Sequence, residues 1–98
     1  MIDNNLSIGK NLRRIRRDCD LTQDQVVAQM ENRGFKMSRS IYSKIEQGDY
    51  NIRVSEIMVL ALIFKVRYND FFDGLIPTIE EHIKLGVGLF LNAIKIIL

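Results

Sequence analysis

The chain has 98 residues, which is enough for one compact domain and little more. Apolar residues make up 47% of the sequence and charged residues 27%, a balance that excludes wholesale disorder. The net charge of +2 is unevenly spread. Residues 1–53 carry ten Lys or Arg and seven Asp or Glu, whereas residues 54–98 carry four and five. This basic surplus in the first half favours a negatively charged partner.

The cysteine count and the N-terminus together predict a cytoplasmic protein. The single cysteine, Cys19, cannot form an intramolecular disulfide or a cysteine-based metal cluster, which fits a reducing compartment. The first residues lack the basic start and long apolar run of a signal peptide, so none is expected.

The first half of the chain reads as three helices, because its apolar residues recur at helical spacing and strand-like alternation is absent. The first is predicted from Leu6 to Asp18, with a core stripe formed by Ile8, Leu12, Ile15 and Cys19. The second begins at a capping box between Thr22 and Gln25 and ends at Gly34.

The third helix is predicted from the N-cap residue Ser38 to Gln47, and Gly48 follows it. Tyr42 and Ile45 lie three residues apart and are expected to point inward. The opposite face is a polar strip whose members can donate hydrogen bonds to bases or phosphates: Arg39, Ser40, Ser43, Lys44 and Gln47.

Two further helices are predicted to complete the core. A fourth, almost wholly apolar helix should begin after a cap at Ser55 and lie in the middle of a bundle. A short fifth helix, from Tyr68 to Asp73, should bring both Phe71 and Phe72 into the same core.

The last segment, residues 76–98, differs from the rest and is treated as a separate element from the 1–75 domain. Its helix is apolar on all sides except for one narrow stripe, formed by Lys84, Gly88, Asn92 and Lys95. A transmembrane span is disfavoured by the two lysines and the short length, and a helix that merely completes the core would leave apolar surface uncovered. Dimerisation is the interpretation that fits best, through a face that includes Val87, Phe90, Leu91 and Ile94.

Residues 8–73 resemble the Cro/repressor (XRE-type) helix-turn-helix family. The most specific match is the run from Ser38 to Gly48, SRSIYSKIEQG, which follows that family's recognition-helix pattern. The run from Leu21 to Ala28, LTQDQVVA, is similar to the opening of its second helix, and IGKNLRRIR to its first. The 31–36 connection is about five residues longer than is usual in the family, as in one of its subgroups.

The resemblance implies an all-α, five-helix repressor-like DNA-binding domain, followed here by an additional C-terminal apolar helix. It further implies a transcriptional regulator, more typically a repressor, that reads the major groove with helix 38–47. The expected partner is double-stranded DNA with a palindromic operator, bound by a homodimer, and no membrane is expected as a partner. A peptide or another protein that regulates this chain is a further candidate partner.

The resemblance also implies a role for individual residues. Gln23 would donate to a phosphate at the positive end of the second helix. Arg39 and Ser40 would meet base edges, and Ser43 and Lys44 bases or flanking phosphates. The following loop offers two candidates for backbone contacts, Asn51 and Arg53.

The resemblance assigns Arg16 and Glu46 to a structural ion pair between the first and third helices. A carboxylate facing phosphates would be repulsive, so Glu46 is not expected to contact DNA. We predict that this pair locks the third helix to the first.

Other functions have less support in the sequence. His82 is the only histidine, and we find no phosphate-binding glycine loop or nucleophile motif, so neither an enzyme nor a cofactor or metal is expected. The alternative is an interaction module, such as an antitoxin or a repressor partner, that keeps the fold with little direct DNA readout.

Overall fold

A computed structural model describes residues 7–75, which form five α-helices with no strand among them. The helices are α1 (Gly9–Asp18), α2 (Gln23–Asn32), α3 (Arg39–Gln47), α4 (Val54–Phe64) and α5 (Tyr68–Phe71). The predicted all-α, five-helix domain is confirmed. The predicted C-terminal helix, in residues 76–98, lies outside the described residues, and the division of the chain at residue 75 stays a prediction.

Local side-chain chemistry sets the ends of α2 and α3. The Thr22 hydroxyl accepts a hydrogen bond from the Gln25 amide at 3.1 Å, and the Gln25 side chain accepts one from the Thr22 amide at 2.8 Å. The Ser38 hydroxyl accepts from the Ile41 amide at 3.1 Å in the same way. At the other end of α3, Gly48 takes the left-handed conformation with φ of 82°, which glycine adopts without strain. The predicted caps of both helices are therefore confirmed.

The start of α4 differs from the prediction. The helix begins at Val54, one residue before the expected Ser55 cap, and Arg53 is its N-cap residue. The Arg53 amide donates to the Glu56 carboxylate at 2.8 Å, so the acidic side chain three residues along satisfies the free N–H group at the helix start. The Ser55 hydroxyl consequently has no capping role.

Within residues 7–75, thirteen hydrophobic residues form one core at the centre of the five helices. Its largest fully buried members are Tyr42, Phe71, Leu12, Met30, Leu60 and Val26. The Phe64 and Phe71 rings pack edge to face with centroids 6.5 Å apart, which joins α5 to α4.

Several residues expected in the core are less buried than predicted. The prediction that α4 lies wholly inside the bundle is wrong: Met58 and Leu62 are exposed, because α4 packs on α2 and α5 with its other side. Phe72 is exposed, because α5 is only four residues long and its next residue turns away from the core. Cys19 lies just past the end of α1 and is half-buried, with its thiol near the Phe64 carbonyl oxygen at 3.6 Å.

The α1 and α3 helices approach each other closely at Gly9. A Cβ atom at this position would lie 2.5 Å from the Glu46 carbonyl oxygen and 2.7 Å from that of Ile45. Only a residue without a side chain allows this packing, and it places the backbone of α3 directly against the first turn of α1.

The long connection between α2 and α3 is packed rather than free. Phe35 and Met37 are half-buried against the core, and the Phe35 amide donates to the Met30 carbonyl oxygen at 3.0 Å. No helix within residues 7–75 combines the length and the apolar character needed to cross a membrane.

Candidate nucleic-acid interface

The α3 helix has one buried face and one polar face. Tyr42, Ile45 and Glu46 are buried, as the helical period requires for residues that point toward α1 and α2. Five of the remaining α3 side chains and one residue of α2 line an open depression of about 440 Å³: Gln23, Arg39, Ser40, Ser43, Lys44 and Gln47. Five of the seven residues predicted to bind DNA thus share one surface, which we call the α3 polar face.

The other two predicted residues, Asn51 and Arg53, do not line this depression. Both are exposed on the connection between α3 and α4. The Arg53 amide caps α4, which fixes the backbone of this connection while the side chain stays in solvent.

Arg39 is held loosely at the edge of the α3 polar face. Its Nε atom lies 3.5 Å from the Asp24 carboxylate, and the two side chains are 66% and 72% exposed. Ion pairs this exposed contribute about 0–1 kcal/mol, so another acceptor can replace Asp24 at little cost. Its terminal guanidinium nitrogens carry further N–H donors.

The Glu46 carboxylate joins three helices beneath the α3 polar face. Arg16 binds it through two bonds, from Nε at 2.7 Å and from a terminal nitrogen at 3.0 Å. The Gln23 side-chain amide donates to it at 3.1 Å, and Arg13 Nε lies 3.6 Å away. The remaining terminal nitrogen of Arg16 donates to the Leu21 carbonyl oxygen at 2.8 Å. The predicted Arg16–Glu46 pair is therefore present, in bidentate form and with the carboxylate fully buried.

The charges of this network are stabilised by one another. Burial alone would raise the pKa of Glu46, but hydrogen bonds, above all those from Arg16, outweigh it and lower that pKa below its ordinary value. The hydrogen bond to Glu46 likewise raises the pKa of Arg16. Burial, followed by the neighbouring Glu46 carboxylate, raises the pKa of the Tyr42 hydroxyl, so Tyr42 stays neutral. At neutral pH the site holds an ionised pair against a neutral tyrosine.

The side-chain amide of Gln23 can donate two hydrogen bonds. The bond to Glu46 occupies one of the two N–H groups of its amide. The second N–H group remains for an acceptor in the depression that Gln23 lines. Gln23 is also the first residue of α2, where the helix dipole favours a negative ligand.

Sequence reasoning missed three contacts around the site: Asp24 with Arg39, Arg13 with Glu46, and Gln23 with Glu46. Each joins residues of different helices, and neither follows from spacing along one helix. The four residues predicted to mediate dimerisation, Val87, Phe90, Leu91 and Ile94, lie outside the described residues. Within residues 7–75 no group of three His, Cys, Asp or Glu side chains could hold a metal ion.

Comparison with known proteins finds a structural neighbour. No protein-family model matches the chain, and no curated protein matches it. A solved structure does match: the restriction-modification controller protein C.AhdI from Aeromonas hydrophila, with a TM-score of 0.60 and 22% sequence identity. The match covers 70% of this chain and 97% of that chain. At this identity the likeness shows a shared all-α fold.

Proposed function

We propose that this protein is a sequence-specific DNA-binding transcriptional regulator of the Cro/repressor (XRE-type) kind, and that it acts as a repressor. The observation that carries the proposal is the α3 polar face, which presents Arg39, Ser40 and Lys44 outward from a helix held by buried side chains. The major groove, about 12 Å wide, admits one such helix. The structural neighbour, described as a controller protein, supports the same class.

Arg39 and Ser40, in the first turn of α3, read base edges. An arginine bound through two hydrogen bonds to guanine O6 and N7 gives roughly 1–3 kcal/mol of discrimination against other bases. On binding, Arg39 exchanges the exposed Asp24 carboxylate for the base. Ser43 and Lys44, one turn later, reach bases or the flanking phosphates.

The phosphate contacts come from both sides of α3. Gln23 donates its second amide N–H group from the start of α2, and Asn51 and Arg53 donate from the connection after α3. Such contacts fix the orientation of the protein and carry no base information of their own.

The regulator acts as a homodimer on a palindromic operator. Val87, Phe90, Leu91 and Ile94 in the C-terminal segment supply the dimer contact, because their apolar side chains recur on one side of its predicted helix. Two α3 helices would then meet half-sites about one turn of DNA, or roughly 34 Å, apart.

Selection of bound duplexes from genomic DNA, followed by gel-shift titration, tests the proposal. We expect one preferred sequence with two-fold symmetry, and loss of that preference in Arg39→Ala. Arg14→Ala is the matched control, because Arg14 is also an exposed arginine beside an exposed carboxylate, that of Asp73, but does not line the depression. Equal effects of the two substitutions would mean that charge alone, and not the α3 polar face, accounts for binding.

The salt dependence of the same titration separates this function from the interaction-module alternative. DNA binding releases counterions from the phosphates that the protein neutralises, so added salt opposes it. Even a protein that neutralises only two phosphates should lose about tenfold in affinity between roughly 50 and 200 mM salt. Lys44→Ala should reduce the slope of the logarithmic plot by about one per protomer. Absent or salt-independent binding to every duplex would favour an antitoxin or a repressor partner.

A further inference from the structure

An apolar stripe runs along the outer side of α4. Val54, Met58 and Leu62 follow one another at four-residue spacing and are 74%, 49% and 68% exposed. Beside them lies an open groove with Met58 and Leu62 on its wall and Phe35 of the α2–α3 connection opposite. The proposed DNA contacts do not use these residues. Exposed apolar side chains that line up beside a groove are the kind of surface on which another apolar segment can dock.

We propose that residues 85–96 of the same chain dock on this α4 stripe. Twenty-three residues follow Leu75. Leu75 itself packs against the core, and it follows α5, which packs on α4. The nine residues 76–84 could span up to about 30 Å if extended, so the docking segment can reach any point on a helix of this length.

The sequence of the segment matches the stripe. The predicted helix of this segment has two apolar flanks, one on each side of its narrow polar stripe. The four proposed dimer residues share the first flank. A second apolar flank, on the other side of that polar stripe, contains Leu85, Leu89, Ala93 and Ile96. Its first three members have the four-residue spacing of the α4 stripe, and both sets therefore repeat about every 6 Å along their helices.

Charge complementarity sets the direction. Lys65 and Arg67 are exposed at the end of α4 that leads to α5, and Glu80 and Glu81 precede the docking segment. An antiparallel arrangement brings these opposite charges together. It also places Leu85 by Leu62, Leu89 by Met58 and Ala93 by Val54.

Because residues 85–96 are attached to the same chain, they are favoured over the segment of a second molecule as the occupant of the α4 stripe. A tethered segment has an effective local concentration in the millimolar range, above that of the free protein in ordinary solution. Docking in this way covers one apolar flank and leaves the other flank free for the proposed dimer contact.

Oxidation of Met58 by peroxide, followed by mass spectrometry on the full chain, tests the docking. The same chain in urea gives the rate of a fully exposed methionine, and buried Met30 reports on folding. If the α4 stripe is open, half-exposed Met58 should be oxidised within about threefold of its rate in urea. If the segment is docked, oxidation of Met58 should be at least about tenfold slower than in urea. Rapid oxidation in the folded wild-type chain would overturn the proposal.

Variants of the full chain identify what covers the stripe. Leu89→Ala should accelerate oxidation of Met58 and leave Met30 protected, whereas Asn92→Ala, in the polar stripe, should change neither. Protection of Met58 against oxidation should persist when the protein is diluted. It should also persist in Leu91→Asp, which removes only the proposed dimer contact. Protection that disappears together with the dimer would show that a second copy covers the stripe and would overturn docking within one chain.

Discussion

Replacing Glu46 with alanine should cost the protein much of its stability. The substitution leaves Arg16, which is 9% exposed, without its carboxylate partner. Removing one partner of a buried pair costs about 3–5 kcal/mol. Because Arg16 keeps its 2.8 Å bond to the Leu21 carbonyl oxygen, we expect the lower end, about 3 kcal/mol.

Thermal unfolding followed by circular dichroism measures this loss. One kcal/mol lowers Tm by roughly 4–8 °C in a domain of this size, so Glu46→Ala should lower Tm by roughly 12–24 °C. Arg39→Ala, at an exposed position with a weak partner, should change Tm by less than about 4 °C. Equal shifts in the two variants would refute the assignment of Glu46 to stability and Arg39 to binding.

A double substitution identifies the source of the loss. If the unpaired charge of Arg16 is responsible, replacing both partners with apolar residues, as in Arg16→Met with Glu46→Leu, should recover most of the stability of Glu46→Ala. No recovery would mean that Glu46 contributes through its contacts with Gln23 and Arg13 instead.

Three further predictions concern stability and use the same unfolding assay. Gly9→Ala should lose about 1–3 kcal/mol despite better helix propensity, because its Cβ would overlap the backbone of α3; a gain would contradict the close approach of α1 and α3. Lys65→Gly should gain about 0.5–1 kcal/mol, because Lys65 ends α4 at φ of 56°, and an unchanged Tm would argue against that strain. The lowered pKa of Glu46 means that its contribution is complete above its ordinary pKa of 4.5 and is lost as pH falls through the lower, folded-state value. Tm of the wild type should therefore fall more steeply below pH 4.5 than that of Glu46→Gln, and parallel curves would exclude Glu46 as the titrating group.

The ends of α2 and α3 could be predicted from sequence because their causes are local. The Thr22–Gln25 capping box, the Ser38 cap and the stop at Gly48 each depend on residues within four positions of one another. The prediction for the start of α4 was wrong, although its cause is also local. Ser55 is a good cap residue, but the Glu56 side chain reaches the Arg53 amide and begins the helix earlier.

Contacts between helices were less predictable than helix ends. The helical period indicated that Tyr42 and Ile45 face inward and that Arg39 and Lys44 face outward. The period gives no information about which residue of α2 faces Arg39, and it is Asp24. The family resemblance supplied the Arg16–Glu46 pair, which neither spacing nor composition could have identified.

The Glu46 carboxylate links the stability of the domain to the geometry of its proposed DNA contacts. Its Oε1 atom accepts from both Gln23 and Arg16, so one group orients a proposed phosphate donor on α2 and holds α3 against α1. Glu46→Gln, which keeps an acceptor and nearly the same shape, should therefore weaken binding to every duplex by a similar factor. Arg39→Ala should instead remove the preference for one sequence. Titration of both folded variants against operator and random duplexes would separate the two roles, and a change of base preference in Glu46→Gln would show that positioning and readout are not divided in this way.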